Sequence, residues 1–320
     1  MSGHTSEDEG PLPGGLPADV AAKITRRTAF LSVGVAATLT LLKAWAWFAS
    51  DSVAILSSLA DSGLDLAASL FTLAAVAYAA RPPDEDHRHG HGKAEGFASV
   101  VQAMLVGIAA ALVAREAVGH VFEPREIQRG GLAIGVMVVS IVLTIGLVWA
   151  QTRAIRKTGS VATAGDRAHY AADLAANFAV IGGIGAATML NAPWADPLIG
   201  LGVAAWLAWS ALDVARGGIN QLLDKELSDE ARARIRNLAL EGGHLLDIHA
   251  LRTRASGPYV HIQFHADLPP GLTLIEAHKR MVAAERAILE EFPAADILIH
   301  PDPRGRAESH GGKAFQEDAA

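Results

Sequence analysis

The sequence predicts an all-α membrane domain of six transmembrane helices followed by a small α+β domain, and three observations predict it. Six apolar runs fill the first two thirds of the chain, each long enough for the ~20 residues that cross a bilayer as a helix. From about Leu223 the composition turns polar and helix and strand signals alternate. Acidic residues and a histidine recur at i, i+4 inside two of the apolar runs. The composition agrees: 51% of the 320 residues are hydrophobic and only 19% charged, with a mean hydropathy of +0.26. That is too apolar for an ordinary soluble domain.

Residues 1–22 are acidic and rich in Pro and Gly, lack the apolar centre of a cleavable leader, and read as a disordered tail. Lys23, Arg26 and Arg27 precede the first run, about Thr28 to Ser50, in which Lys43 is expected to snorkel toward the far interface. The second run, about Val53 to Ala80, carries Asp61 and Asp65 and ends at Arg81-Pro82-Pro83, because proline cannot continue a helix. A polar loop from Asp84 to Lys93 leads to the third run, about Gly96 to Val121. Residues 124–130 are a short loop. The fourth run covers about Gly131 to Thr152. The fifth, about Val161 to Leu190, carries His169 and Asp173 and is broken by Pro193. The sixth spans about Ala195 to Val214. Lys and Arg gather before the first run, in the 81–93 loop and after the fourth run. The positive-inside rule then puts both termini in the cytoplasm. The membrane domain is read as 23–222.

Ser228, followed by Asp229 and Glu230, is a helix N-terminus with acids at its positive end. Strands are expected over 247–254, over Tyr259 to Asp267, and from Ala295 to His300. In the second, Val260, Ile262 and Phe264 alternate with His261, Gln263 and His265. Thr273 with Glu276 is a capping box for a helix reaching about Phe292. The order αββαβ over 223–303 implies a two-layer, ferredoxin-like α+β domain. Residues 304–320 read as a second disordered tail.

The chemistry is narrowed by what the chain lacks. With no cysteine there are no disulfides or thiolate sites, so any metal is held by His, Asp and Glu. A net charge of −7 argues against nucleic acid as a partner. The absence of a His-Glu-x-x-His motif or an evident activated nucleophile argues against an enzyme.

Asp61 with Asp65, and His169 with Asp173, each share a helix face one turn apart. An ionised group near a bilayer centre costs roughly 2.5–3.5 kcal/mol, so four of them are unlike passengers. Facing one another they suit a divalent cation in an oxygen and nitrogen cage. On the run boundaries alone the two pairs lie at different depths. The Asp84, His87, His89 and His91 loop can wrap an ion or be a solvated loop. His249, His265, His278, His300 and Asp302 come from separate elements of the C-terminal domain and read either as ligands or as scattered surface groups. His261 shares a face with His265, but four residues along a strand is roughly 13 Å, too far for one ion. Asn177, one turn past Asp173, is as readily a packing residue as one that orients a ligand.

Taken together, Asp-x3-Asp in the second run, His-x3-Asp in the fifth and the αββαβ domain resemble the cation diffusion facilitator family. So do Leu59-Ala60-Asp61-Ser62, the 89–95 stretch from His89 to Glu95, Leu251-Arg252-Thr253-Arg254 and Ile299-His300-Pro301-Asp302-Pro303. The likeness covers about Ile24 to Pro303 and is strongest to bacterial zinc and ferrous-iron efflux members.

The resemblance implies a homodimer in the bacterial inner membrane that exchanges a divalent cation for protons. It implies a transport site at Asp61, Asp65, His169 and Asp173, a loop site at Asp84, His87 and His91, and a binuclear site at His249, His265, His278, His300 and Asp302, with Asp302 as the bridge. It also implies a salt bridge from Lys93 to Asp224 that ties the membrane part to the C-terminal domains. The chain departs from the pattern at Ala168, where relatives often carry a larger apolar residue, and in the additional His89 and Asp86. One imidazole with three carboxylates suits Zn2+, with Fe2+, Cd2+ and Mn2+ as alternatives, and no catalytic cofactor is expected. A passive channel and a non-transporting metal sensor are the competing readings of the same ligands.

Overall fold

The structure, a computed structural model, describes residues 14–50, 53–122, 131–189 and 195–306. Six long helices come first: α1 (Ala18–Ser50), α2 (Val53–Ala79), α3 (Lys93–Phe122), α4 (Gly131–Thr158), α5 (Val161–Met189) and α6 (Ala195–Leu222). Five of them, α1 to α4 and α6, are long and apolar enough to cross a membrane. The exception is α5, whose first half carries Asp166, Arg167, His169 and Asp173. Large apolar side chains such as Leu41, Trp45, Ile108, Leu112, Trp149 and Trp209 point outward, as suits helices solvated by lipid.

Small residues set how closely the helices approach. On α3, α5 and α6, Val106, Ala110, Ala168, Ala172, Leu207 and Ala211 form one buried cluster. A Cβ added to Gly218 would lie 2.8 Å from the Gly96 carbonyl oxygen, so glycine lets α3 and α6 touch backbone to backbone. Inside the bundle runs a polar chain. Gln151 on α4 donates to Asp166 on α5 (2.8 Å) and to Ser32 on α1 (3.1 Å). Gln102 on α3 donates to Thr72 on α2 (2.8 Å), and the Ser69 and Tyr170 hydroxyls lie 2.6 Å apart. Buried polar groups demand partners, and these contacts across five helices supply them for both glutamine amide nitrogens, while Gln102 Oε1 and Gln151 Oε1 have none among the described residues.

Two details of the membrane part depart from the sequence expectation. Helix α1 begins at Ala18, so residues 18–22, read as tail, are helical. The apolar run measured the lipid-facing length, whereas the helix itself continues into a polar first turn where Lys23 pairs with Asp19. Lys43 does not snorkel away: its ammonium donates to Ser62 Oγ (2.6 Å) and the Ser58 carbonyl (3.2 Å) on α2. The partners one helix away satisfy the charge at its own depth. The 124–130 loop and the 307–320 part of the C-terminal tail lie outside the described residues.

The C-terminal domain contains α7 (Asp229–Leu240), β1 (Asp247–Ser256), β2 (Tyr259–Leu268), α8 (Leu274–Glu291) and β3 (Ala295–Pro303), in the αββαβ order. Ser228 Oγ accepts from the Ala231 N–H, and Thr273 with Glu276 closes a reciprocal capping box, so both helices start where their caps sit. The sheet order is β1-β2-β3, antiparallel between β1 and β2 and parallel between β2 and β3. Ile235, Ile248, Val260, Ile262, Phe264, Ile288 and Phe292 fill the core between sheet and helices. The opposite sheet face carries His261, Gln263 and His265. Strand β1 carries a bulge between His249 and Arg252, where Ala250 takes φ +49°.

The two parts meet closely. Gly92, at the end of the α2–α3 loop, lies against the β1–β2 turn: a Cβ there would fall 1.9 Å from the Ser256 carbonyl oxygen. On the other side a Cβ on Gly257, whose φ is +56°, would lie 2.9 Å from Gly92 Cα.

Candidate metal centres

The first centre lies where α2 and α5 face each other. His169 Nε2 is 3.0 Å from Asp65 Oδ1 and 4.0 Å from Asp173 Oδ2. One ligand atom from each of the three residues falls within 4.8 Å of the other two. The i, i+4 spacing on α5 puts His169 and Asp173 on one face, and packing of α2 against α5 brings Asp65 opposite. The depth mismatch inferred from run boundaries is therefore absent for Asp65. Asp61, one turn earlier on α2, is exposed and lies outside this group. Lys43, bonded to Ser58 and Ser62 on either side of it, places a positive charge nearby.

The loop centre is pre-shaped by Asp84. Its Oδ1 accepts the backbone N–H groups of His87 (2.7 Å) and Asp86 (3.1 Å), which folds the loop back on itself. The His87 amide hydrogen bond, aided by the two histidines, holds the Asp84 carboxyl below its ordinary range. Asp84 Oδ2 is 3.1 Å from His91 Nε2, and Oδ1 is 3.4 Å from His87 Nδ1. His91 is buried, and its Nδ1 has no hydrogen-bond partner among the described residues. Two imidazoles and one carboxylate are a donor set that suits a tetrahedral cation.

The third centre is written in strand register. His249, His265 and His300 sit at one step across β1, β2 and β3. Asp267 and Asp302 are paired two residues further on, on the same face. Asp302 Oδ2 lies 2.8 Å from His265 Nδ1 and 3.3 Å from His249 Nε2, while its Oδ1 lies 3.5 Å from His300 Nε2. Its two oxygens thus address different histidines, the geometry a bridging carboxylate needs. His278, on the exposed side of α8, is not part of the His249, His265 and Asp302 group. Asp267, which sequence reasoning passed over, places Oδ1 3.7 Å from His249 Nδ1, an ion-pair distance rather than a hydrogen bond. The signal that would have found it is its i, i+2 relation to His265.

Between the parts, Lys93 donates to Asp224 Oδ2 (3.0 Å) and to the Leu222 carbonyl (3.2 Å). Arg254 on β1 donates to the same carboxylate oxygen at 3.1 Å, a third member not foreseen from sequence. Burial raises the Asp224 pKa, but the Lys93 hydrogen bond and the two positive charges outweigh it and hold the carboxyl below its usual value. Ala168, beside His169, is buried in the α3–α5–α6 cluster.

Two family models match the chain in order along its length. Residues 29–223 match the model of the cation efflux transmembrane domain, and residues 227–304 match that of the cation efflux protein cytoplasmic domain. Among similar proteins, the cation-efflux pump FieF of Yersinia enterocolitica is 38% identical over 282 residues, covering 88% of this chain and 94% of its own. The FieF pump of Klebsiella pneumoniae is 36% identical over 283 residues, covering 88% and 93%. A solved structure of the putative zinc transporter CzrB in its zinc form shares 32% identity over 27% of this chain and 98% of its own, with a TM-score of 0.25. With both family domains matched in order along one multi-pass chain, the protein belongs to the cation diffusion facilitator family of cation-efflux transporters and is not an enzyme.

Proposed function

We propose that the protein exports a divalent cation, Zn2+ before Fe2+, Cd2+ or Mn2+, from the bacterial cytoplasm across the inner membrane in exchange for protons. The reading rests on one observation: Asp65, His169 and Asp173 converge within 4.8 Å between two helices of the membrane domain. Carboxylates and an imidazole held together bind protons and metal in competition, because an arriving cation favours their deprotonated forms. If the site opens alternately to either side, that competition couples outward metal to inward protons. Asp61 completes the set as the fourth ligand when α2 turns its exposed face toward the ion. The name of the FieF relatives, cation-efflux pumps, supports the direction of transport.

In this reading α1 to α6 all cross the membrane, with both termini and the αββαβ domain in the cytoplasm, and the working unit is a homodimer. The His249, His265, His300 and Asp302 group senses cytoplasmic metal and stabilises the dimer, with His278 joining when metal is bound. The test is zinc movement into proteoliposomes under an imposed pH gradient, with wild type compared with Asp61→Ala. Expected is gradient-dependent zinc flux in wild type alone. Equal movement in both, or none in either, would overturn the proposal, and flux indifferent to the pH gradient would indicate a channel.

A further inference from the structure

His261 was set aside as too far along β2 from His265 to share its ion, and the structure gives it other company. Across the parallel β2–β3 pair its register partner is Asp296, whose Oδ2 lies 3.1 Å from His261 Nδ1. From outside the sheet, the α2–α3 loop lays His89 edge-on against the His261 ring, with centroids 5.4 Å apart. One ligand atom from each of His89, His261 and Asp296 falls within 4.8 Å of the others. The geometry points to a separate divalent-cation site of zinc type, built by His89, His261 and Asp296 across the junction of the membrane and C-terminal parts.

Three observations support it. First, the His261 side chain is only 6% exposed and turns its Nδ1 toward Asp296 Oδ2, the edge at which an ion shared with that carboxylate would sit. Second, the parallel β2–β3 register sets Asp296 directly beside His261, so the sheet fixes two of the three donors and the loop adds His89. Third, His89 and His261 line two cavities, one of about 640 Å³ shared with the loop centre and one of about 330 Å³ reaching Asp296. These give an ion an entry path and leave room for water as the fourth ligand. Of the positive charges around the site, Arg254, the register partner of His261 on β1, has its guanidinium engaged by Asp224 at 3.1 Å, and Arg88 lines the smaller cavity beside His89.

The donor set, two imidazoles and one carboxylate, is the same as that of the loop centre, but no ligand is shared. Bound metal would clip the α2–α3 loop to the sheet of the same chain. This does not depend on transport, and metal counting separates its failure from failure of the transport reading.

The experiment uses the full-length protein in detergent, equilibrated with Zn2+ alone, with bound zinc per chain counted by elemental mass spectrometry. His89 and Asp296 are exposed, so His89→Ala and Asp296→Asn test the site without threatening the fold. Each is expected to lose one zinc per chain relative to wild type. His87→Ala, which leaves the Asp84 turn its backbone donors, is expected to remove a different one, and His87→Ala with Asp296→Asn to lose two. Wild-type zinc content in Asp296→Asn, at free zinc that fills the other centres, would overturn the proposal. So would a double variant that loses no more than His87→Ala.

Discussion

Asp302 offers one carboxylate oxygen to His265 at 2.8 Å and the other to His300 at 3.5 Å. A buried carboxylate shared in this way joins neighbouring strands through whatever ion the histidines hold. Zinc at 100 times its dissociation constant should then stabilise the folded protein by about 2.7 kcal/mol per site through mass action. His265→Ala should abolish most of that increment while changing metal-free stability far less. Thermal unfolding with and without Zn2+ reads both.

At the intramembrane centre, Asp65→Ala, His169→Ala and Asp173→Ala each delete a group from the converged set. Loss of an outer-shell partner costs a metal site about 10–100-fold, and loss of a direct ligand should cost at least as much. Zinc flux in proteoliposomes should fall by about 100-fold or more in each case. Asn177→Ala, which alters no ligand, should stay within about 10-fold of wild type.

In the loop centre, charge and shape can be separated. Asp84→Asn retains a carbonyl oxygen able to accept the His87 and Asp86 amides, so the turn should survive. It loses the anionic oxygen facing His91, so zinc affinity at this centre should drop by about 10–100-fold. Competition with a chelating dye measures affinity, and hydrogen exchange of 84–91 checks the turn. Collapse of protection together with affinity would show that the loop was unfolded rather than unliganded.

The Asp224 junction should respond to acid. Its folded pKa is depressed, so its contribution is complete above the unfolded carboxylate value of about 3.9 and is lost as pH falls through the lower folded value. Because the site is partly exposed, the effect is screened by salt. Cleavage of the 223–228 segment in limited proteolysis should therefore accelerate below about pH 4. Lys93→Met should show faster cleavage already at neutral pH, and wild type should approach it at high salt.

Much of this was legible in the sequence because it is local. Caps at Ser228 and Thr273, the proline stop after α2, strand alternation around Phe264 and the i, i+4 pairs in α2 and α5 all report on near neighbours along the chain. What escaped depends on pairing between distant segments. His261 looked solitary because its partners are a register neighbour, Asp296, and a loop residue, His89. Lys43 looked like a snorkelling lysine because the Ser58 and Ser62 acceptors belong to the adjacent helix. Asp166 drew no attention beside His169, although it is held by Gln151 in the polar chain through the bundle. Asp61 shows the converse: the spacing that puts it on a face with Asp65 says nothing about how α2 is rotated.

The contact of Gly92 with the Ser256–Gly257 turn has a consequence for how such a chain can evolve. Neither position tolerates a side chain while the other surface stays where it is, since even a methyl group would overlap backbone. A lineage that lengthens the loop must therefore rebuild the hairpin in the same step, or separate the two halves of the molecule. Divergence should be free along the lipid-facing helix surfaces and frozen at this pair, so that the two glycines are inherited together or lost together.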